Sequence, residues 1–383
     1  MSAVATAVCA VDKLRLYQFR NYAELTIRFA SGVNVISGSN AQGKTNLLEA
    51  VATLTLTRSP RAAVVGDLLG WGTDRCAVEA TIQRPDAPRT LAVHFVRDVT
   101  TGRVGRSAMV DGKPRRASAL PGVCPVVLFW PEDLLVVKAG PEGRRRLLDT
   151  LLAQLEPRIG DVLTRYRRVL VQRNALLKHL RAGGSGRETL NGFTRELAGL
   201  GARIHASRAR LVQALDPHAA RSLNELSDGR EQLQLRYAPA HALPSLDEEH
   251  AERALLDAFA QHAAEEFARA ATLIGPHRDD LAFDINGRPA RTAASQGQQR
   301  SIVLAVKMAE VDLVRERAGL TPVVILDDVL SELDPRRRSD LLLLLAARAP
   351  QQVLLTTAEP LQDLGTLDVA RRFTVRDGQI SDA

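Results

Sequence analysis

The sequence predicts an α/β fold in which a mixed sheet and an antiparallel β subdomain form one lobe and an α-helical lobe is inserted into it. Three observations predict this fold. A strand, a glycine-rich loop and a helix follow one another at residues 33–51. The hydrophobic period changes from strand-like to helical near Pro141. A second buried strand, VVIL at 323–326, ends in two aspartates.

The glycine-rich stretch GSNAQGKT, residues 38–45, matches the P-loop pattern. In such a loop, backbone N–H groups and a helix N-terminus surround the phosphates of a nucleotide. Lys44 is expected to contact the β and γ phosphates and to act in catalysis, and Thr45 is expected to offer its hydroxyl to Mg2+. A plain strand-to-helix turn is the alternative interpretation. The predicted ATP-binding residues of the loop are Gly38, Ser39, Asn40, Ala41, Gln42, Gly43, Lys44 and Thr45.

The rest of the N-terminal third is predicted to form antiparallel strands. Polar and apolar residues alternate in LRLYQF at 14–19 and in ELTIRF at 24–29. Hairpin strands are predicted at 76–83, 90–96 and 107–114, the last with a turn at Asp111-Gly112. These strands would form the antiparallel β subdomain.

The middle of the chain is predicted to be helical. Apolar residues recur at three-and-four spacing from 148 to 180, with Pro157 at the start of a second helix. A break at 183–186 separates this helix from another that is predicted to end at Leu215. Ser245 and Glu248 form a capping-box pattern that predicts a further helix.

These patterns predict a discontinuous first lobe. We expect lobe I to span 1–140 and 272–383, and lobe II to be the helical insertion 141–271. The motif at 295–300 would then lie near the junction of the lobes.

The apolar run at 323–326 predicts the second half of a P-loop site. Buried parallel strands read as continuous aliphatic runs, and the Walker B strand of P-loop ATPases ends in carboxylates. Asp327 is expected to bind Mg2+ together with Thr45. Asp328 stands where a catalytic carboxylate would orient or deprotonate the attacking water. Two acids in an exposed turn are the alternative.

A further motif precedes this strand. Ser295-Gln296-Gly297-Gln298 resembles the ABC-type signature, in which a Ser hydroxyl and backbone N–H groups bind the γ-phosphate of ATP held by a second subunit. Ser295, Gly297 and Gln298 are therefore predicted ATP contacts, although the family pattern has Gly where Gln296 stands. SELD at 331–334 resembles the D-loop, and Thr356 or Thr357 stands near the switch position. The resemblance implies an ABC-type P-loop ATPase head.

The whole chain resembles the RecF family, bacterial recombination mediator ATPases related to the SMC proteins. Eight stretches carry the resemblance in the family's order: LRLYQFRNY at 14–22, GSNAQGKTNLLEA at 38–50, FWPEDL at 129–134, GRRRLLD at 143–149, YRRVLVQRNALL at 166–177, GPHRDDL at 275–281, SQGQQR at 295–300 and ILDDVLSELD at 325–334.

The resemblance implies a weak DNA-dependent ATPase of the cytoplasm. It would form a homodimer with ATP, act at gapped or stalled replication DNA, and dissociate on ATP hydrolysis. With RecO and RecR it would promote RecA loading and support the SOS response. The expected cofactors are ATP and Mg2+.

The charge distribution favours a polyanionic partner. The formal net charge is +7, and the basic surplus is concentrated between residues 142 and 215. Aromatic residues make up only 4% of the chain, so contacts with duplex phosphates are favoured over base stacking. A solvated arginine-rich helical face is the alternative. The predicted DNA contacts, on duplex or gapped DNA, are Arg144, Arg145, Arg165, Arg168 and Arg173.

Other classes of protein are less compatible with the sequence. No apolar run approaches the roughly 20 residues of a membrane span. The weakly apolar stretch at the N-terminus has no basic region before it, as a signal peptide would have. A cytoplasmic protein without a membrane partner is therefore expected. A transporter engine would carry its signature much closer to the P-loop. A long-armed chromosome-structure ATPase would need hundreds of heptad residues. A DNA-bound scaffold with a vestigial ATPase stays open.

Overall fold

A computed structural model describes residues 9–62, 64–241, 247–358, 364 and 367–382. The chain divides into two compact units. The sheet unit consists of Met1–Leu135 and Val303–Ala383, and the helical unit consists of Val136–Ile302.

The first sheet of the sheet unit is antiparallel. Its strands are, along the chain, β1 (Ala10–Phe19), β2 (Tyr22–Arg28), β4 (Arg75–Gln83), β5 (Arg89–Arg97), β6 (Val104–Val110) and β7 (Lys113–Arg115). Their order in the sheet is β2-β1-β4-β5-β6-β7.

Strands β1 and β4 of this sheet each bury one face. In β1, Leu14 and Leu16 are buried whereas Arg15 and Tyr17 are exposed, which is the period of two expected of such a strand. The turn between β6 and β7 has positive φ at both central residues, 52° at Asp111 and 72° at Gly112, as predicted for a tight hairpin.

The second sheet is mixed and contains both predicted nucleotide-binding strands. Its strands are β3 (Gly32–Ser37), β8 (Val126–Phe129), β12 (Val323–Asp327), β13 (Gln352–Thr357), β14 (Val369–Arg376) and β15 (Gln379–Asp382). Their order is β15-β14-β3-β13-β12-β8, and only β15 runs antiparallel to its neighbour. Every residue of β12 and β13 is buried, because both faces of this part of the sheet are covered.

One helix contacts both sheets. Helix α1 (Lys44–Leu56) follows β3 directly and contacts β4 and β5 of the first sheet and β12 and β13 of the second. Its residues are buried nearly all round, which explains its weak amphipathic pattern. Helix α9 (Pro335–Arg348) follows β12 and is capped by Asp334, whose side chain accepts a hydrogen bond from the Arg337 N–H.

The helical unit combines long helices with a small sheet. Helices α3 and α4 pack against each other, as do α4 and α5, and the three strands are ordered β11-β10-β9. The elements are α2 (Pro141–Leu155), α3 (Pro157–Arg181), α4 (Arg187–Leu226), β9 (Leu233–Ala238), α5 (Glu248–Gln261), α6 (Ala263–Arg269), β10 (Asp280–Ile285), β11 (Arg288–Pro289), α7 (Ala290–Ala293) and α8 (Gln296–Ala318), whose second part belongs to the range of the sheet unit.

Helix α4 is longer than the sequence predicts. It does not end at Leu215 but continues through Pro217 to Leu226. A proline inside a helix leaves the carbonyl of residue 213 without its usual donor. Gln213 and Pro217 lie on the exposed side, where water can replace that hydrogen bond, while Ala219 and Leu223 continue the buried stripe.

Helix α5 begins with a different cap from the predicted one. The side chain of Asp247 accepts a hydrogen bond from the backbone N–H of His250, and the helix starts at Glu248. Ser245, the predicted cap, lies outside the described residues.

Candidate phosphate-binding site

The loop between β3 and α1 has a backbone that needs glycine at two positions. Gly43 caps α1 with a φ of 115°, a conformation that side chains with a Cβ rarely adopt. A Cβ on Gly38 would lie 2.4 Å from the carbonyl oxygen of Val375 on the neighbouring β14. The spacing of these glycines in the sequence therefore follows from the path of the loop.

Lys44 lies at the centre of this loop. Its ammonium group donates hydrogen bonds to the carbonyl oxygens of Gly38, at 2.6 Å, and Ser39, at 2.8 Å. The residue is only 6% exposed. Burial lowers the pKa of Lys44, whereas the negative charges of Asp328 and Asp327 raise it. The lysine thus belongs electrostatically to the same site as the two aspartates.

Asp327 connects the two predicted halves of the nucleotide site in the sheet unit. Its Oδ1 accepts hydrogen bonds from the Thr45 hydroxyl, at 3.0 Å, and from the Thr356 hydroxyl, at 2.7 Å. Burial raises the pKa of this carboxyl, and the two hydroxyl donors and the charge of Arg61 oppose the rise. A hydroxyl and a carboxylate oxygen are the hard ligands that Mg2+ prefers, so Thr45 and Asp327 fit that ion.

Asp328 follows directly, and its backbone is held in an unusual conformation. Its φ is 53°, its N–H donates to the Thr356 hydroxyl at 3.0 Å, and its carbonyl oxygen accepts from the Ser331 hydroxyl at 2.7 Å. Within the described part of the chain, its buried Oδ1 has no hydrogen-bond partner. An unpaired buried carboxylate oxygen is costly, and it is available to a water or a hydroxyl.

Thr356 has a larger role than the sequence indicates. It was one of two candidates for the switch position, and the structure shows that its hydroxyl contacts both the Asp327 carboxylate and the Asp328 backbone. This follows from sheet order, because β13 lies between β3 and β12. Local sequence patterns do not predict which strands lie side by side when those strands are far apart along the chain.

The predicted signature residues belong to the helical unit. Ser295 and Gln298 form a capping box at the start of α8: the Gln298 N–H donates to the Ser295 hydroxyl at 3.2 Å, and the Ser295 N–H donates to the Gln298 side chain at 2.8 Å. Ser295 and Gln296 are exposed, whereas Gly297 and Gln298 are half-buried. The Gln298 amide also donates to Glu231 at 2.9 Å.

Two of the arginines predicted to contact DNA are buried in the helical unit. Arg144 is 2% exposed and donates two hydrogen bonds to the Asp280 carboxylate, at 2.6 and 2.9 Å. Arg173 is 3% exposed, donates to Glu266 at 2.6 Å and lies 4.8 Å from the centre of the Phe259 ring. Removing the Arg173 guanidinium would leave the buried Glu266 carboxylate without its ion pair, and removing that of Arg144 would leave a buried hydrogen-bond network incomplete, so both arginines stabilise the helical unit.

The other three arginines differ in their exposure. Arg165 and Arg168 are exposed on α3, and Arg165 forms an ion pair with Glu196. Arg145 is half-buried and donates to the carbonyl oxygen of Asp279 at 2.7 Å. DNA contact through these three residues stays a prediction, and Arg165 and Arg168 are the most accessible of them.

The GPHRDD stretch, 275–280, lies inside the helical unit. His277 contacts the Tyr166 hydroxyl at 2.8 Å and the carbonyl oxygen of Thr272 at 3.1 Å. Burial lowers the pKa of His277 to about 4. Asp279 accepts hydrogen bonds from the Tyr237 hydroxyl and from the Ala240 N–H. These contacts favour a structural role for this stretch.

A search of the described residues for a helix long and apolar enough to cross a membrane finds none.

Comparison with known proteins places these features in one family. The family described as RecF/RecN/SMC N terminal domain matches residues 10–377. The DNA replication and repair protein RecF of Halalkalibacterium halodurans is 38% identical over 97% of this chain and 98% of its own length. The protein of the same name from Synechococcus sp. strain JA-3-3Ab is 40% identical over 96% of both chains.

A solved structure gives the same result in three dimensions. The structure of the recombination mediator protein RecF with ATP in the RecFOR pathway superposes with a TM-score of 0.87 at 28% identity, over 100% of both chains. The predicted α/β fold of the ABC-type ATPase head is confirmed.

Proposed function

This chain belongs to the RecF family, and from that premise we propose that it is an ATP-dependent DNA-binding protein of recombinational repair. One observation carries the proposal: Lys44 and Thr45 lie in one site with Asp327 and Asp328, although these residues come from opposite ends of the chain. The negative charges of the two aspartates oppose the lowering of the Lys44 pKa by burial, and Thr45 donates a hydrogen bond to Asp327. Phosphate-binding, metal-binding and water-activating groups meet there. That combination is what hydrolysis of a nucleoside triphosphate requires.

Each residue of the site has a separate chemical task. Lys44 binds the β and γ phosphates, and the backbone N–H groups of 38–45 surround them. Thr45 and Asp327 would hold Mg2+, which would supply positive charge to neutralise the phosphate oxygens. Asp328 orients the attacking water and accepts its proton through the carboxylate oxygen that has no hydrogen-bond partner among the described residues.

The site is completed by a second copy of the chain. The exposed Ser295 and the N-terminus of α8, including Gly297 and Gln298, bind the γ-phosphate of ATP held by the partner. ATP therefore forms the homodimer, and hydrolysis, which is weak and stimulated by DNA, releases it. The lobes predicted from the sequence, 1–140 with 272–383 and 141–271, stay a functional proposal that differs from the two compact units, since residues 272–302 lie in the helical unit.

Family membership supports a proposal for the DNA substrate and the partner proteins. We propose duplex or gapped replication DNA as the substrate, bound through phosphates by Arg165, Arg168 and Arg145. The protein would act with RecO and RecR to load RecA and support the SOS response, in the cytoplasm. The exposure of Arg165 and Arg168 supports the DNA part of the proposal.

The mass of the protein in solution tests this function. We expect a monomer without nucleotide and with ADP, a dimer with ATP, and faster ATP hydrolysis when gapped duplex is added. A protein that remains monomeric with ATP would overturn the dimer. A dimer on DNA that never hydrolyses ATP would favour a scaffold with a vestigial ATPase.

A further inference from the structure

Two turns from opposite ends of the chain contact the phosphate-binding loop at Gln42 and Gly43. The first is the β1–β2 turn near the N-terminus. There the Asn21 side chain donates to the carbonyl oxygen of Gln42 at 3.2 Å, and the buried Tyr22 hydroxyl donates to the carbonyl oxygen of Gly43 at 3.0 Å. These contacts fix the peptide units that directly precede Lys44.

The second turn joins β14 and β15 near the C-terminus. The Asp377 N–H donates to the side-chain oxygen of Gln42 at 2.6 Å, and the Gly378 N–H donates to the carbonyl oxygen of Gln42 at 3.2 Å. Gly378 has a φ of 72°, and a Cβ there would lie 2.9 Å from the carbonyl oxygen of Asn21. The two turns therefore contact each other as well as the loop.

The loop needs such support because its own backbone is strained. Ala41 has a φ of 65°, a left-handed conformation that a residue with a Cβ seldom adopts. Backbone of this kind persists where surrounding contacts impose it. Gln42 supplies the largest share of those contacts, since both its side chain and its carbonyl oxygen accept hydrogen bonds.

We propose that the Asp377-Gly378 turn, acting through the Gln42 side chain, is a positioning element that sets the affinity of the loop for a nucleoside triphosphate. The inference rests on the proposed function, because it assumes that this loop binds ATP. The turn does not touch phosphate. It holds the Gln42–Gly43 peptide so that the loop N–H groups point at the ligand before the ligand arrives, which lowers the entropic cost of binding.

The test compares two alanine substitutions in titrations with a fluorescent ATP analogue. Gln42→Ala removes the acceptor of the Asp377 N–H, so we expect the Kd to rise about five- to tenfold, the effect of one net hydrogen bond. Gln379→Ala, an exposed amide on the same hairpin, is the matched control and should bind like wild type. The rate at saturating ATP should stay near wild type in Gln379→Ala, because this residue lies outside the loop.

A double-mutant cycle separates positioning from general destabilisation. Gly378→Ala forces the turn away from Asn21, so we expect it to raise the Kd in the same direction. In the double variant with Gln42→Ala, the fold-increase in Kd should be smaller than the product of the two single fold-increases, because both substitutions disturb one coupled contact. Thermal unfolding of each variant shows whether the fold is retained.

The outcomes distinguish the inference from the function on which it rests. Wild-type protein that fails to bind the analogue would overturn both. If wild type binds and Gln42→Ala binds equally well, the ATP site stands and the positioning role is wrong. Fully multiplicative effects in the double variant would also contradict the inference.

Discussion

The proposed ATP site has one half in the sheet unit, the P-loop with Asp327 and Asp328, and the other half in the helical unit, the signature motif. The two halves differ in burial and in the side-chain contacts that each already makes. In the sheet unit, Lys44 and Asp327 are 6% and 4% exposed, and the Thr45 hydroxyl already donates a hydrogen bond to Asp327. In the helical unit, Ser295 is exposed and its hydrogen bonds are those of a helix cap. The proposal that Ser295 contacts a partner's ATP rests on the resemblance to the ABC-type signature. The exposure of Ser295 leaves it accessible to a second copy of the chain.

Asp328→Asn should have the largest effect and tests the chemical part of the buried half. The amide cannot accept a proton from water, so we expect ATP hydrolysis to fall about 1000-fold, within the range for general base catalysis. Nucleotide binding should be unchanged, and the dimer should last longer. Single-turnover hydrolysis checks this, with Asp67→Asn, an exposed aspartate of the same unit, as the control. Wild-type hydrolysis would assign the role to another carboxylate.

Lys44→Ala tests the binding part of the same half. It removes the ammonium group that we propose contacts two phosphates, and we expect the Kd for ATP to rise by a few hundredfold, as for a strong charge-assisted interaction. Lys44→Arg keeps the charge with a different shape and should bind and hydrolyse poorly. Titration with a fluorescent ATP analogue measures both, with Lys113→Ala, an exposed lysine, as the control. Unchanged affinity in Lys44→Ala would sink the assignment.

The stability of the protein at acidic pH tests the packing around His277 inside the helical unit. Burial lowers the pKa of His277 from 6.5 to about 4. The unfolded chain therefore takes up this proton more readily, so the stability is complete above pH 6.5 and is lost as the pH falls towards 4. We expect a loss of about 3 kcal/mol over that range.

Chemical unfolding between pH 7 and pH 4 measures this contribution. The pH dependence of wild type should be steeper than that of His277→Gln, while His179→Gln, at an exposed position, should behave as wild type. Equal slopes in wild type and His277→Gln would show that His277 does not stay neutral in the fold.

The exposed surface of the helical unit should show the smallest effect. Replacing Arg165 and Arg168 by Gln should flatten the slope of log K for duplex binding against log salt by about 0.9 for each real phosphate contact, and twice that in a dimer. ATP affinity should stay near wild type. An unchanged slope would show that these residues form a solvated face. Arg103 and Arg115 of the sheet unit would then become the preferred candidates for DNA contact.

Local patterns predict much of the sheet unit. The P-loop, helix α1 and the VVIL strand were recognisable because glycines, helix formers and aliphatic runs are required by the local backbone. Alternation in β1 and the Asp111-Gly112 turn were equally local. The contacts of Thr356 and Gln42 were not predictable, because they depend on which strands and turns lie side by side.

The helical unit shows the opposite limit. Arg144 and Arg173 lie on amphipathic helices and read as surface charge. Their carboxylate partners, Asp280 and Glu266, are distant along the chain, so burial of the arginines could not be inferred. The sequence predicts that this helix ends at Leu215, whereas packing of the apolar stripe beyond Pro217 extends α4 to Leu226.

Mixing two inactive variants tests the composite site most directly. Ser295→Arg should bind ATP as a monomer but neither dimerise nor hydrolyse, and Lys44→Ala should not bind ATP. A mixed dimer contains one site with an intact loop from the first variant and an intact signature from the second. We therefore predict that ATPase activity and a mixed dimer appear on mixing. Lys44→Ala mixed with Asp328→Asn, which cannot form an intact site, should stay inactive. No mixed dimer and no recovered activity from Ser295→Arg with Lys44→Ala would contradict the account.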